Sequence, residues 1–457
     1  MSKLSVLFDK VSKRITPTLE QALHEKMLAA KLVSKLEHEL SSEGVRVMFI
    51  GSSARDTGLA GETDLDLFVQ WPKSYNKEEI VKLTIAGAKR AIDIKWEMHY
   101  AEHPYLQGVY QGFKVEVIPC FQIDAHTSVK SAVDRSPLHM QYLQSRLTEA
   151  QKRDVRLLKK LLKANGIYGA ELEVHSFSGL VCEQLILNYR NLENLLVVAS
   201  SEWRAPIIVD LEGSWNSKHE ELTAKFENAP LILVDAIDKN RNAAASVNAE
   251  SLSKFILLAR KLLAQPSEVI FYPKKLNINA AQVRKVVSSR GTAIFAIRLV
   301  KPDVVDDVLY PQLRKLEHHL VNSLEKSHFN VWGSLSEATS KSCLIIFEVE
   351  NARLPEVEVK MGPPVWFAKD VAAFLKANKT TRGPYVKDER LMIDVVRKLK
   401  TAAQVVTLFF TNAKASGIPS NFSVKSKEAK LLDLRKDVAK LSKEELQIIG
   451  KYLFEKV

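Results

Sequence analysis

Residues Gly51-Ser-Ser-Ala-Arg55 follow an apolar run, Val45 to Ile50, and are themselves followed by two aspartates in Asp64-Leu-Asp66. The run reads as a buried strand, Gly51-Ser52 as the turn leaving it, and Asp64 to Val69 as the next strand, whose period of two places Asp64 and Asp66 on one face. Two carboxylates side by side repel each other and are tolerable mainly where a divalent cation neutralises them. Magnesium suits hard oxygen ligands shared with substrate phosphates. Ser52 and nearby backbone N–H groups can donate to phosphate oxygens, and Arg55 can grip them as a fork. A third carboxylate, Glu116, sits in Phe113-Lys-Val-Glu-Val-Ile-Pro-Cys-Phe121, where Val115, Val117 and Ile118 mark a strand and Pro119 closes it. Burying an unpaired carboxylate is costly, so Glu116 is expected to face a cavity, a cation or an edge, with Lys114 as the alternative partner. Together these parts have the layout of a nucleotidyl-transfer site.

The elements that must hold these residues are legible in outline. Thr16-Pro17 starts a helix in which Leu19, Leu23, Met27, Ala30, Leu36 and Leu40 recur near helical spacing until Gly44. Residues 45 to 121 alternate strands with one helix, about Lys77 to Ala91, giving a small mixed sheet that carries the three acids. From Leu147 to Leu162 a helix is expected, with Lys152, Arg156, Lys159, Lys160 and Lys163 along one side, Val155, Leu158 and Leu162 on another, and Asn165-Gly166 as its C-cap. Such a stripe is either a solvated face or, after an acidic site that must receive a triphosphate, a phosphate-binding one. Further helices are expected over 175–195 and 249–264. Between them Leu231 to Val234 leads into a polar turn that presents Arg241 at a helix start. Past Pro266 an α+β module follows: strand Thr292 to Leu299, helix Tyr310 to Glu325, strand Cys343 to Glu350, and a helix-rich basic end from Met361.

The 457 residues hold 66 Lys and Arg against 54 Asp and Glu, a net charge of +12, with 46% hydrophobic residues to fill about three domains. A polyanionic partner is favoured and a disordered basic tail is not. Cys120, Cys182 and Cys343 are isolated from one another, which excludes a disulfide framework and a zinc spacing. The first residues lack the apolar stretch of a signal peptide, and no run is long enough to span a bilayer, so no membrane partner and a cytoplasmic location are expected.

The chain resembles the archaeal, class I CCA-adding enzymes, tRNA nucleotidyltransferases of the polymerase-beta-like superfamily. The Gly-Ser and Asp-x-Asp pattern is specific only to the superfamily. The narrower resemblance rests on Ala101-Glu-His-Pro-Tyr105, Ser131-Ala-Val-Asp-Arg-Ser-Pro137 with His139, Leu158 to Tyr168, Asp238 to Asn242, and Lys301 to Gln312. It implies a multidomain α+β fold: a polymerase-beta-like nucleotidyltransferase head of mixed sheet and helices (1–140), a helical neck that recognises the nucleotide base (141–265), and an α+β body and tail that bind tRNA (266–457). It also implies addition of C, C and A to the 3′ end of tRNA from CTP and ATP, with contacts to the acceptor arm and elbow. By position, Asp64, Asp66 and Glu116 would be catalytic ligands of Mg2+. Ser52, Arg55, His139, Lys159 and Tyr168 would be nucleotide contacts, with Glu102 and His103 near the site.

Arg241 matches the residue that helps choose the base in that family. Cytosine and adenine share an exocyclic amino donor beside an unprotonated ring nitrogen, a pattern that a guanidinium donor plus a phosphate acceptor fits. The alternative for Arg241 is an ion pair with Asp235 or Asp238. Two positions depart from the family pattern: Glu116 stands where Asp is common and Asp64 where Glu is often found, so the two changes are expected to compensate in reach. Alternative functions are oligo- or poly(A) synthesis and a catalytically weakened tRNA-binding protein. Monomer and homodimer both remain open.

Overall fold

The computed structural model describes residues 2–62, 64–100, 104–123, 132–216, 218–274, 277–424 and 426–454. Glu102, His103 and Ser131 lie outside the described residues. The chain divides into two compact units, Met1–Lys274 and Lys275–Lys456.

The first unit begins with helices α1 (Lys3–Ile15) and α2 (Leu19–Glu39). Directly after Pro17, the Thr18 hydroxyl accepts from the Gln21 N–H while the Gln21 side chain accepts from the Thr18 N–H, a capping box that fixes where α2 starts. Strand β1 (Arg46–Ile50), β2 (Asp64–Trp71), helix α3 (Lys77–Ala91), β3 (Trp96–Tyr100), β4 (Pro104–Tyr110) and β5 (Phe113–Phe121) follow. They form a five-stranded mixed sheet in the order β1-β2-β5-β4-β3, in which β2 and β5 run parallel and the other pairs antiparallel. Leu65, Leu67, Val69 and Trp71 of β2 and Val115 and Val117 of β5 share a core with Leu28, Leu32 and Leu36 of α2 and Ile80 and Ala88 of α3. Strand alternation therefore leaves Asp64, Asp66 and Glu116 on the opposite face of the sheet.

Strand β5 continues past Pro119 to Phe121 instead of closing there. Pairing with β4 ends at Val117, so Pro119 lies where one flank of the strand carries no ladder and the missing N–H is tolerated.

The rest of this unit is mainly helical: α4 (Arg135–Arg146), α5 (Glu149–Ala164), α6 (Gly179–Tyr189), α7 (Leu192–Ser201), β6 (Ile207–Val209), α8 (His219–Lys225), β7 (Leu231–Leu233) and α9 (Ala249–Ala264). Leu157, Leu158 and Leu161 of α5, Leu185 of α6, Leu195 of α7 and Phe255 of α9 form its core. Leu4, Leu7, Phe8 and Val11 of α1, spaced for one helix face, belong to that core as well.

The second unit contains α10 (Ala280–Ser289), β8 (Ala293–Val300), α11 (Asp306–Lys326), β9 (Val331–Ala338), β10 (Ser342–Val349), β11 (Val357–Pro364), α12 (Ala368–Ala377), β12 (Arg382–Lys387), β13 (Arg390–Val396), α13 (Ala402–Thr411), α14 (Ser420–Ser423), β14 (Lys430–Asp433) and α15 (Lys443–Phe454). Strands β14-β8-β10-β9 form an antiparallel sheet whose central strands are apolar on both faces. Phe295, Ile297, Ile345 and Phe347 meet Leu313 and Leu316 of α11, while Ile294, Ala296, Leu344 and Ile346 meet Val283 of α10 and Ile449 of α15. The segment from Met361 is rich in helix as expected, with α12, α13, α14 and α15, but it is not helix alone. It carries a three-stranded sheet, β11-β13-β12, and a fourth strand, β14. Cys120, Cys182 and Cys343 are buried free thiols. Among the described residues no helix is long and apolar enough to cross a membrane.

Candidate active site

Parallel pairing of β2 and β5 sets Asp66 opposite Glu116 and Asp64 opposite Lys114. The turn leaving β1 closes over this row because Ile50 is paired with Asp66. Gly51 adopts φ +94°, and a Cβ there would overlap Asp66 Oδ2, so only glycine lets the backbone approach the carboxylate. Burial, then the charges of Glu116 and Asp64, push the Asp66 carboxyl up to about 7. Such repulsion marks a row of acids short of positive charge. Lys114 supplies part of it, with Nζ 2.8 Å from Glu116 Oε1. Among the described residues no three Asp, Glu, His or Cys side chains form a group that could already hold a metal ion. The acids stand in one row, but Glu116 is drawn onto Lys114, the alternative partner anticipated from the sequence. As a donor set, three carboxylates on adjacent strands fit a hard divalent cation, which would replace the lysine as their counter-charge.

Beside the row, the turn carrying Ser52 and Arg55 is gripped by the helical part of the unit. Ser52 is half-buried, and its carbonyl accepts from the Thr57 N–H at 2.9 Å. The guanidinium of Arg55 meets the carboxylate of Glu183 on α6 through Nε at 3.0 Å and Nη2 at 3.0 Å, and Thr57 Oγ1 donates to the same carboxylate at 2.6 Å. Lys159 Nζ donates to the Thr57 carbonyl at 3.1 Å and contacts Thr57 Oγ1 at 3.4 Å. Further along α5, Lys152 pairs with Asp56, Arg156 donates to the Asp56 carbonyl, and Lys163 pairs with Glu62. Three residues of the basic stripe thus hold the turn, and Lys163 holds the loop beyond it. Arg156 and Lys159 are buried, at 8% and 1% exposure, so the stripe is not the solvated face that its composition allowed. Burial pushes the Lys159 amine down. Burial would raise the Glu183 carboxyl, but Arg55 and Lys159 hold it below the usual range. Tyr168 lies in the same cluster: a Cβ on Gly179 would meet its hydroxyl at 3.2 Å and the Lys159 side chain at 3.6 Å, and Lys163 Nζ sits 4.8 Å from its ring centre.

His139 and Arg241 meet at a second buried carboxylate. Asp235 Oδ1 lies 2.7 Å from His139 Nε2 on α4, and Asp235 Oδ2 accepts from Arg241. One turn earlier on α4, Arg135 reaches Asp238 at 3.3 Å. Arg241 does not start a helix as expected. It closes a loop in which its carbonyl accepts from the Asp235 N–H at 3.1 Å, and α9 starts only after the cap Asn248. Arg135 and Arg241 line a cavity of about 1210 Å³ with Lys225, Asn240 and Asn248. The two clusters adjoin through α4, where Met140 Sδ lies 3.7 Å from Arg55 Nη1.

Sequence reading missed Glu183 and the bridging role of Asp235. Glu183 sits in an apolar helical run, Leu180-Val-Cys-Glu-Gln-Leu-Ile186, and an acid there was the available signal, of the kind already used for Glu116.

Three family models match in succession: a nucleotidyltransferase domain over residues 30–139, the tRNA nucleotidyltransferase second domain over 153–272, and the CCA-adding enzyme C-terminal domain over 290–425. The CCA-adding enzyme of Archaeoglobus fulgidus is 36% identical over 81% of this chain and 82% of its own length. The chain belongs to the CCA-adding enzymes. The CCA-adding enzyme of Methanothermobacter thermautotrophicus is 31% identical over 98% of this chain and 97% of its own. A solved RNA terminal U-transferase aligns with 59% of the chain at a TM-score of 0.46 and 12% identity, a likeness too slight to add to the assignment. In this chain the acid row, Arg55 turn and Arg241 loop all fall in the first unit, under the first two family models.

Proposed function

We propose that the open face of the first unit's sheet adds C, C and A in turn to the 3′ end of tRNA from CTP and ATP, without a nucleic-acid template. The observation that carries this reading is the register of Asp66 with Glu116 beside the Gly51-Ser52 turn. Asp64, Asp66 and Glu116 would hold Mg2+. Bound there, the cations would supply charge neutralisation at the nucleophile, the α-phosphate and the leaving pyrophosphate.

The chain's own residues bind and orient. Ser52 and Arg55 face the triphosphate, Lys159 and Tyr168 support that end of the nucleotide from α5 and the segment after it, and His139 contacts it from α4. Arg241 donates to the base. Its donor, with an acceptor from the tRNA backbone, matches cytosine and adenine and leaves buried groups unpaired against uracil and guanine. The acids also help remove the proton of the terminal ribose 3′-hydroxyl. The head, neck, and body and tail, at 1–140, 141–265 and 266–457, would contact tRNA from acceptor arm to elbow, in keeping with the net charge of +12. Three free buried thiols are in keeping with a reducing cytoplasm.

The test is the composition of the product when tRNA lacking its CCA end is incubated with all four nucleotides and magnesium. Ordered C, C, A is expected. Runs of A alone would transfer the reading to an oligo- or poly(A) synthase.

A further inference from the structure

Asp235 binds both His139 and Arg241, and it does so with different oxygens: Oδ1 lies 2.7 Å from His139 Nε2 and Oδ2 accepts from Arg241. Its side chain is wholly buried. Oδ1 also accepts from the backbone N–H groups of Ile237 at 2.9 Å and Asp238 at 3.4 Å, which fixes the carboxylate's orientation independently of either partner. Arg241, by contrast, keeps a side-chain exposure of 35% and lines the cavity. A guanidinium with one edge tied to a fixed, buried anion and the other edge open presents its remaining donors in a single direction.

The anchor also joins two parts of the unit. His139 and Arg135 lie one turn apart on α4, and Asp238 takes Arg135 at 3.3 Å while Asp235 takes His139. The loop that carries Arg241 is thereby docked on the helix that follows the sheet. We propose that Asp235 is a positioning residue for base selection: it aims the Arg241 guanidinium and fixes it relative to the acid row. This rests on the reading of Arg241 as the base-contacting residue. Asp235 itself does not face the cavity.

The test measures kcat/KM for CTP and for UTP on tRNA lacking its CCA end, for Arg241→Ala, Asp235→Asn and the double variant, with the melting temperature of each. Losing a charge-assisted hydrogen bond corresponds to roughly tenfold or more, so Asp235→Asn is expected to lower the CTP preference by roughly that factor. Because Asp235 acts through Arg241, the double variant should show the selectivity of Arg241→Ala alone. A merely structural aspartate would lower the melting temperature and overall rate while leaving the CTP-to-UTP ratio unchanged, and that result overturns the proposal. Independent, multiplying effects in the double variant overturn it too. If Arg241→Ala leaves the ratio intact, the base-contact reading fails and the proposal with it. A loosened ratio in Arg241→Ala with none in Asp235→Asn sinks the positioning role alone. Should Asp235→Asn not fold, Asp235→Glu keeps the charge but moves the guanidinium by a methylene, and an unchanged ratio there is equally contrary.

Discussion

Glu183 and Arg55 lie 128 residues apart in the chain, and their side chains meet through two contacts of 3.0 Å. The carboxylate is wholly buried and the guanidinium 11% exposed, so the turn proposed to receive phosphate is fastened from behind by the helical part of the same unit. Removing one partner from such a pair leaves a buried charge uncompensated.

Glu183→Ala is therefore expected to destabilise the first unit by about 3–5 kcal/mol, read by denaturant unfolding. Glu183→Gln keeps the shape, and its expected signature is a raised KM for CTP and ATP alike with the KM for tRNA little changed, because Arg55 would grip a part common to both nucleotides.

At Gly51 the backbone has φ +94° and lies against Asp66. Gly51→Ala should cost about 1–3 kcal/mol of stability from backbone strain alone. Displacing the Asp66 carboxylate should lower nucleotide incorporation by up to about a hundredfold, as misplacement by an ångström does elsewhere. Unfolding and single-turnover assays separate the two effects.

The helix starts and the acid row were open to sequence reading because their causes are local. Thr18 and Asn248 cap α2 and α9 within three residues of themselves, and a period of two puts Asp64 and Asp66 on one face. Long-range partners were not. Arg156 and Lys159 look like surface residues until Asp56 and Thr57, about a hundred residues earlier, supply acceptors that let them be buried. Helix α1 shows the helical spacing of Leu4, Leu7, Phe8 and Val11, yet nothing local says that its apolar face belongs to the helical core. The sequence presents Arg241 after a polar turn as if at a helix start, whereas the Asn242 side chain accepts from the Leu233 and Ala244 N–H groups and holds a turn.

Asp235 gives the acid limb of stability a definite sign. Burial alone would raise its carboxyl, but the hydrogen bond and charge of His139, the Ile237 N–H and Arg241 hold it well below the usual range. The unfolded chain therefore binds the proton more readily. The contribution of Asp235 is fully present above the unfolded carboxylate value near 4 and is lost as pH falls from there toward the lower folded value. Asp235→Asn should flatten this limb in unfolding measured from pH 6 to pH 3, and an unchanged slope would refute the assignment.

Glu116 is one methylene longer than aspartate, and Asp64 one shorter than glutamate. With Asp66 fixed opposite Glu116, Glu116→Asp alone should lower incorporation, and Asp64→Glu combined with Glu116→Asp should recover part of it. A gain in the single variant would show that the two lengths do not compensate.

Asp66 is the middle member of the acid row, between Asp64 on its own strand and Glu116 on the next. The most direct measurement follows labelled CTP and ATP into tRNA lacking its CCA end, with magnesium, for the unaltered chain and for Asp66→Ala of matched melting temperature. Ordered C, C, A addition that vanishes in the variant, while tRNA binding persists, is the expected result. Incorporation that survives Asp66→Ala, or tRNA binding without incorporation in the unaltered chain, would contradict it.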